Sequence, residues 1–354
     1  ALESAADEDT MDRDLVDLIW FPTGGGKTEA YLGLTAFVIA LRRLTYPSSG
    51  NGTSVIMRYT LRLLTSQQFT RACRLICALE LIRRSCPDMG PEPVTIGMWV
   101  GRATTPNTLK QAQKCIEKSA GDKMNFSGSF VLNECPWCGA PFSFPDNYQF
   151  GPKGFRFCCT NPECEYTHNG PLPCQVVDEA LYDHPPTFLV ATIDKFARLA
   201  WDERTQVFFG KGINRPPELI IQDELHLISG ALGSIAGLYE AGLDTLLASL
   251  GVRPKYVAST ATIRMADDQV SRLYGRSVAV FPPPGLDCDD SYFARTVPLD
   301  ERPGRLYIGY LAPGFNRQQS MVPLAAALMA APEALFGNGH IHEEALLEAW
   351  WTCV

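Results

Sequence analysis

Two stretches of this chain carry residue types that could do phosphate chemistry. In Phe21-Pro22-Thr23-Gly24-Gly25-Gly26-Lys27-Thr28 an apolar run leads into glycines, a lysine and a threonine, and a helical pattern follows. Glycines let backbone N–H groups turn inward around phosphate oxygens, and a helix N-terminus adds partial positive charge. The stretch predicts a nucleotide-binding loop of Thr23, Gly24, Gly25, Gly26, Lys27 and Thr28, with Lys27 on the β- and γ-phosphates of ATP and the Thr28 hydroxyl on Mg²⁺. The longer form of the motif would have glycine at position 21, where this chain has Phe21. The second stretch, Leu219-Ile220-Ile221-Gln222-Asp223-Glu224-Leu225-His226, is an apolar strand running into two adjacent carboxylates and a histidine. Ligands sit at strand C-termini in open α/β sheets. Asp223 is expected to hold Mg²⁺ through water, Glu224 to orient or deprotonate the attacking water, and His226 to relay the nucleotide state. The expected catalytic set is therefore Glu224, Asp223, Lys27 and His226.

Cysteines supply the other chemistry. Of the 12 in the chain, six fall between Cys135 and Cys174. Cys135-Pro136-Trp137-Cys138-Gly139 and Cys159-Thr160-Asn161-Pro162-Glu163-Cys164 resemble two zinc knuckles, and four thiolates make a closed, structural site. Cys158 could replace Cys159, which is in phase with Phe155 and Phe157 on an alternating strand. Cys174 and His168 are weaker candidates, and the remaining cysteines read as core or surface thiols.

Positioning these groups requires strands and helices in alternation. Short apolar runs at 15–21, 54–59, 94–100, 188–192, 219–222 and 256–259 read as strands buried on both faces, with helical patterns at 28–44, 63–84 and 232–250. That rhythm predicts an α/β fold with a parallel sheet. A Cys-, Gly- and Pro-rich stretch at 104–186 interrupts it and reads as a zinc-binding insertion in a domain over 1–280. A Pro- and Asp-rich linker is expected over 281–304. A strand at 305–311, helices at 317–331 and 343–350, and a strand starting at 351 would then begin a second, incomplete domain over 305–354.

Composition excludes several classes. Hydrophobic residues are 46% and charged residues 20%, which rules out a disordered or fibrous chain. The net charge of −8 rules out a protein that simply coats nucleic acid, so any grip on DNA must be local. The longest clean apolar run, 32–41, is too short to span a bilayer, so no membrane partner is expected. The acidic first residues show no apolar stretch of a secretory signal, and clustered cysteines then favour metal binding in a reducing cytoplasm.

The loop, the insertion and the Asp-Glu-Leu-His box, in that order, resemble the core of superfamily 2 helicases. Wording narrows the likeness. The runs 20–33 and 57–65, Trp99-Val100-Gly101 with Thr105-Pro106-Asn107, and the run 281–287 are similar to DrmA, the helicase-subunit family of the bacterial DISARM anti-phage system. The resemblance covers most of residues 15–315. It implies a RecA-like parallel sheet sandwiched by helices (a P-loop NTPase), with an inserted zinc ribbon and the start of a second RecA-like domain. It also implies an ATP-dependent DNA helicase or translocase using ATP, Mg²⁺ and Zn²⁺, acting on single-stranded DNA or a duplex with a single-stranded end, and partnered by the subunit DrmB. Ser259, Thr260 and Thr262 would fall in motif III, coupling the acidic box to the nucleic acid. Thr60 and Arg62 would fall in motif Ia and Thr192 and Lys195 in motif Ib, all contacting nucleic acid, with Arg71 and Arg74 on the helix that follows motif Ia. Because the second domain would supply an arginine finger, residues 1–354 alone are expected to hydrolyse ATP poorly. Two other readings stay open: a related zinc-bearing helicase of DNA repair or RNA metabolism, and an ATP-sensing zinc-ribbon adaptor without motor activity.

Overall fold

Each central strand is apolar on both faces because helices fill it from both sides. The computed structural model describes residues 2–21, 26–60, 62–101, 104–119, 130–151, 154–210, 212–260, 265–283, 285–287, 295–304 and 309–336. At 62–67, 118–119, 317 and 332–336 it describes the backbone alone. The chain forms two compact units, Ala1–Phe293 and Ala294–Val354.

In the first unit α1 (Leu2–Ala6), β1 (Val16–Trp20), α2 (Lys27–Thr45), β2 (Val55–Tyr59), α3 (Arg62–Ser85) and β3 (Ile96–Trp99) come before the insertion. The insertion brings α4 (Leu109–Ser119), β4 (Tyr148–Gly151), β5 (Gly154–Phe157), α5 (Glu165–Asn169), β6 (Cys174–Gln175) and α6 (Asp178–Asp183). Then follow β7 (Phe188–Thr192), β8 (Leu219–Gln222), α7 (Gly230–Ser249), β9 (Lys255–Thr260), α8 (Ala266–Tyr274) and β10 (Val278–Phe281). Eight strands form one sheet in the order β10-β1-β9-β8-β2-β7-β3-β6, and every pairing is parallel.

Strand period places alternate side chains on opposite faces. Val55, Met57 and Tyr59 of β2, Leu219 and Ile221 of β8, and Phe188 and Val190 of β7 face a core shared with α2 and α3. Ile56, Ile220, Leu189 and Ala191 face a second core shared with α7, α8 and the 3₁₀ turns after β7. Because the strands are parallel, all their carboxyl ends lie along one edge. That edge carries the segments after Trp20, Tyr59, Thr192, Gln222 and Thr260, which are the segments the sequence singles out.

Two buried arginines fix the helices to this frame. Arg42, at the last turn of α2, donates to the carbonyls of Gly50, Asn51, Arg215 and Pro216, so the helix after the phosphate loop is anchored to the segment before β8. Burial pulls its guanidinium down to about 10, with Glu218 opposing. Arg58, wholly buried within β2, pairs with Glu240 of α7. The rings of Phe196, Tyr256 and Tyr274 lie 5.7, 5.8 and 6.0 Å from it.

The insertion is less separate than the sequence suggests. Its strand β6 joins the main sheet beside β3, and α6 packs beneath β3 so closely that a Cβ on Gly97 would lie 2.4 Å from Leu181. The rest forms an antiparallel hairpin, β4–β5, whose Phe155 and Phe157 belong to the core under α3. β10 was not expected as a strand; it is short and only partly covered, so it lacks a strong apolar pattern. The second unit contains α9 (Arg317–Phe336). The expected strand at 305–311 falls largely outside the described residues, as do the expected helix and strand after 343.

Candidate functional site

The phosphate loop enters α2 through Gly26, at φ 82°, a left-handed conformation suited to glycine. Thr23, Gly24 and Gly25 lie outside the described residues. Lys27 Nζ donates to the Thr260 carbonyl at 3.3 Å. This is possible because β9 lies between β1 and β8, so its end stands between the loop lysine and the acidic box. Thr28, one turn before Tyr31 on α2, has its Oγ1 3.1 Å from the Tyr31 hydroxyl, which is also 3.1 Å from Asp223 Oδ2.

Asp223 is 5% exposed and well held. Its Oδ1 accepts from the Ser259 hydroxyl and, at 3.0 Å, from the Glu224 N–H. Glu224 itself is left-handed, with φ 49° and ψ 50°. A non-glycine residue there costs about 1–3 kcal/mol and persists only where its surroundings enforce it. Its Oε2 lies 3.3 Å from His226 Nδ1, which lies 3.3 Å from Thr260 Oγ1. Lys27, Thr28, Asp223, Glu224, His226, Ser259 and Thr260 therefore form one cluster on the carboxyl edge; Thr262 lies outside the described residues. A hydroxyl and a carboxylate meeting beside a lysine suit a hard cation carrying phosphate oxygens.

The residues expected to hold nucleic acid fare differently. Thr60 is half-buried at the end of β2, and the side chain of Arg62 lies outside the described residues. Lys195 is turned inward. It is 5% exposed, donates to Asp178 Oδ2 at 2.5 Å and lies 5.5 Å from the centre of the Trp99 ring. Burial pulls its ammonium below the ordinary lysine value, with Asp178 opposing. Thr192 is likewise buried. Neither side chain presents itself to a phosphate from this position; Thr192 ends the buried strand β7, and Lys195 is folded inward by the 3₁₀ turn over 193–200. Arg71 pairs with Glu29, and Arg74 donates to the Pro136 carbonyl at 3.0 Å, so it supports the cysteine knuckle.

Four of the cysteines come together. Cys135, Cys138, Cys159 and Cys164 bring their four sulfurs within 4.8 Å of one another, without Cys158. Cys138 and Cys159 Sγ are 3.7 Å apart. Four sulfurs about 2.3 Å from one tetrahedral zinc would sit about 3.8 Å apart, so the donor set fits that ion. Burial pushes the Cys138 thiol up, but the Ala140 N–H, the Asn161 side chain and the neighbouring thiols outweigh it and bring it down to about 7. Burial pushes Cys164 up to about 11. The cysteine Cys174 and the histidine His168 stand outside the cluster, His168 bonding the Pro162 carbonyl.

Sequence reasoning missed Tyr31, although its spacing from Thr28 was a usable signal: residues three apart on a helix share a face. It also missed the Arg58–Glu240 pair, because no local pattern joins residues 182 positions apart.

No family model matches the chain. It is 39% identical, over an alignment of 387 positions, to the DISARM protein DrmA of Bacillus paralicheniformis, spanning 94% of this chain and 34% of that protein. The chain thus covers about a third of the length of the curated relative it matches. Among solved structures, the DUF1998 helicase MrfA overlaps 80% of this chain and 30% of its own, with TM-score 0.43 and 14% identity. A Mycobacterium smegmatis helicase, Lhr, bound to ssDNA and AMP-PNP overlaps 79% of this chain and 26% of its own, with TM-score 0.43 and 17% identity.

Proposed function

Because the chain is a relative of the DISARM protein DrmA over nearly its whole length, we propose that it forms the nucleotide-binding half of an ATP-driven DNA motor in anti-phage defence, working with the subunit DrmB. The observation that carries this reading is the meeting of Thr28 and Asp223 on one tyrosine hydroxyl, 3.1 Å from each, beside Lys27. Residues 195 positions apart have no packing reason to bring a hydroxyl, a carboxylate and a lysine together at a strand edge.

In the proposed reaction Lys27 leaves the Thr260 carbonyl to neutralise the β- and γ-phosphates of ATP. Thr28 and Asp223 hold Mg²⁺, which when bound neutralises charge on the same phosphates. Glu224 orients or deprotonates the water that attacks the γ-phosphorus. His226, in reach of both Glu224 and Thr260, senses whether that carboxylate is engaged. The test is ATP turnover by the intact protein with and without single-stranded DNA. DNA-stimulated turnover is expected; ATP binding without turnover under either condition would favour the adaptor reading instead.

Lys27→Ala should weaken ATP binding by about tenfold or more, since a charge-assisted bond to phosphate contributes roughly 1.5–3 kcal/mol. Isothermal titration checks it, and unchanged affinity would place the phosphates elsewhere.

The DNA is proposed to run along the carboxyl edge over Thr60 and Arg62, through phosphate contacts that carry no sequence information. Arg62→Ala should flatten the logarithmic salt slope of single-strand binding by about 0.7. Lys195→Met should leave that slope unchanged and lower stability by roughly 3 kcal/mol, since it strands Asp178 in the interior. A flattened slope in Lys195→Met would restore that lysine to the DNA path.

A further inference from the structure

We propose that Tyr31 is a positioning residue for the divalent cation, aligning the Thr28 hydroxyl and the Asp223 carboxylate so that both offer lone pairs to it. This deepens the nucleotide reading above and rests on it.

The tyrosine is 0% exposed, and the groups that meet its hydroxyl are Thr28, Asp223 and the neighbouring Tyr59. Its neighbours assign the protons. An ionised carboxylate only accepts, so Tyr31, with a single proton, donates it to Asp223 Oδ2 at 3.1 Å. The Thr28 hydroxyl, 3.1 Å away, then donates to the tyrosine oxygen. A threonine whose proton is committed to a buried phenol has its oxygen lone pairs directed elsewhere, which is what a cation ligand needs. Asp223 meanwhile has donors on both oxygens: Ser259 and the Glu224 N–H on Oδ1, Tyr31 on Oδ2. Its plane is thus set before any cation arrives. A phenol ordinarily titrates at about 10, so the tyrosine keeps its proton at neutral pH.

Tyr31→Phe removes one oxygen and keeps the ring. In the intact protein, binding of a fluorescent ATP analogue would be titrated with Mg²⁺, alongside Mn²⁺ binding by electron paramagnetic resonance. Tyr31→Phe should raise the half-saturating Mg²⁺ and Mn²⁺ concentrations by about tenfold, the scale of one hydrogen bond to a charged group. Analogue affinity without divalent ion should stay unchanged. Unaltered cation dependence in a folded Tyr31→Phe protein overturns the proposal. A wild-type protein that shows no divalent-dependent binding at all overturns the nucleotide reading itself. Loss of folding in Tyr31→Phe is met by a second measurement: 3-fluorotyrosine at position 31 of the otherwise unaltered protein. Its ¹⁹F resonance should shift when Mg²⁺ is added to the nucleotide complex and not when nucleotide is added alone. A resonance blind to Mg²⁺ sinks the proposal.

Discussion

Glu224→Gln in the intact protein should bind ATP with nearly wild-type affinity and turn it over about a thousandfold more slowly. The carboxylate stands apart from the groups placed to hold phosphate and cation: Lys27 reaches Thr260, Thr28 meets Asp223 through the Tyr31 hydroxyl, and Glu224 reaches His226. Glutamine keeps the shape and the 3.3 Å neighbour while removing the base, and positioned acid–base groups contribute about 10²–10⁴ in rate. The left-handed backbone of Glu224 belongs to the residue position, so the substitution does not relieve it. Turnover by stopped assay and affinity by titration, measured together, decide the point. Equal loss of both would mean that Glu224 holds the nucleotide and that the division of roles is wrong.

Zinc removal should have the largest effect on stability. Structural zinc in peptides contributes apparent binding free energies of about 10–16 kcal/mol, comparable with or above the whole net stability of a typical domain. Loss of a zinc would not stay within the insertion, because its Phe130, Phe155, Phe157 and Tyr166 share one core with Tyr31 and Val38 of α2 and Phe69 and Ile76 of α3. Tyr166 also donates to the Cys77 carbonyl at 2.7 Å, and Arg84 to that of Asn169 at 3.0 Å. The protein should carry about one zinc per chain, with four sulfurs at about 2.3 Å by X-ray absorption. Cys159→Ser should lose the ion and unfold at markedly lower temperature, while Cys158→Ser keeps both. Protein purified without chelator and found free of zinc would refute this, as would matching losses from the two serines.

Much of this arrangement is legible before folding because it depends on local chemistry. A both-sided apolar strand, a glycine turn and a Cys-x-x-Cys pair each declare themselves within a few residues, and β1, β2, β7, β8 and β9 fall within two residues of where their patterns lie. What escapes are interactions set by the sheet. Lys195 looked like a phosphate ligand because its partner Asp178 belongs to α6, tucked under β3 by a crossing no pattern announces. The pair Arg58–Glu240 puts charge inside a strand that otherwise reads as core. β6 is two residues long and too short to show any period.

The strand order also sets a timetable. β1 pairs only with β9 and β10 among the described strands, Val16 lying beside Tyr256 on one side and Val278 on the other. Those partners leave the ribosome more than 200 residues later, and at about 5–20 residues per second β1 waits roughly 10–50 s for them. Throughout that time Val16 and Leu18, fully covered in the finished fold, have nothing to cover them. Lys255, whose ammonium ties Asp12 and Leu15 to the start of β9, is the first residue of the strands that β1 waits for. A chain interrupted before that lysine would carry the phosphate loop on a strand with neither of its neighbours, although the five strands from β8 to β6 would already be made.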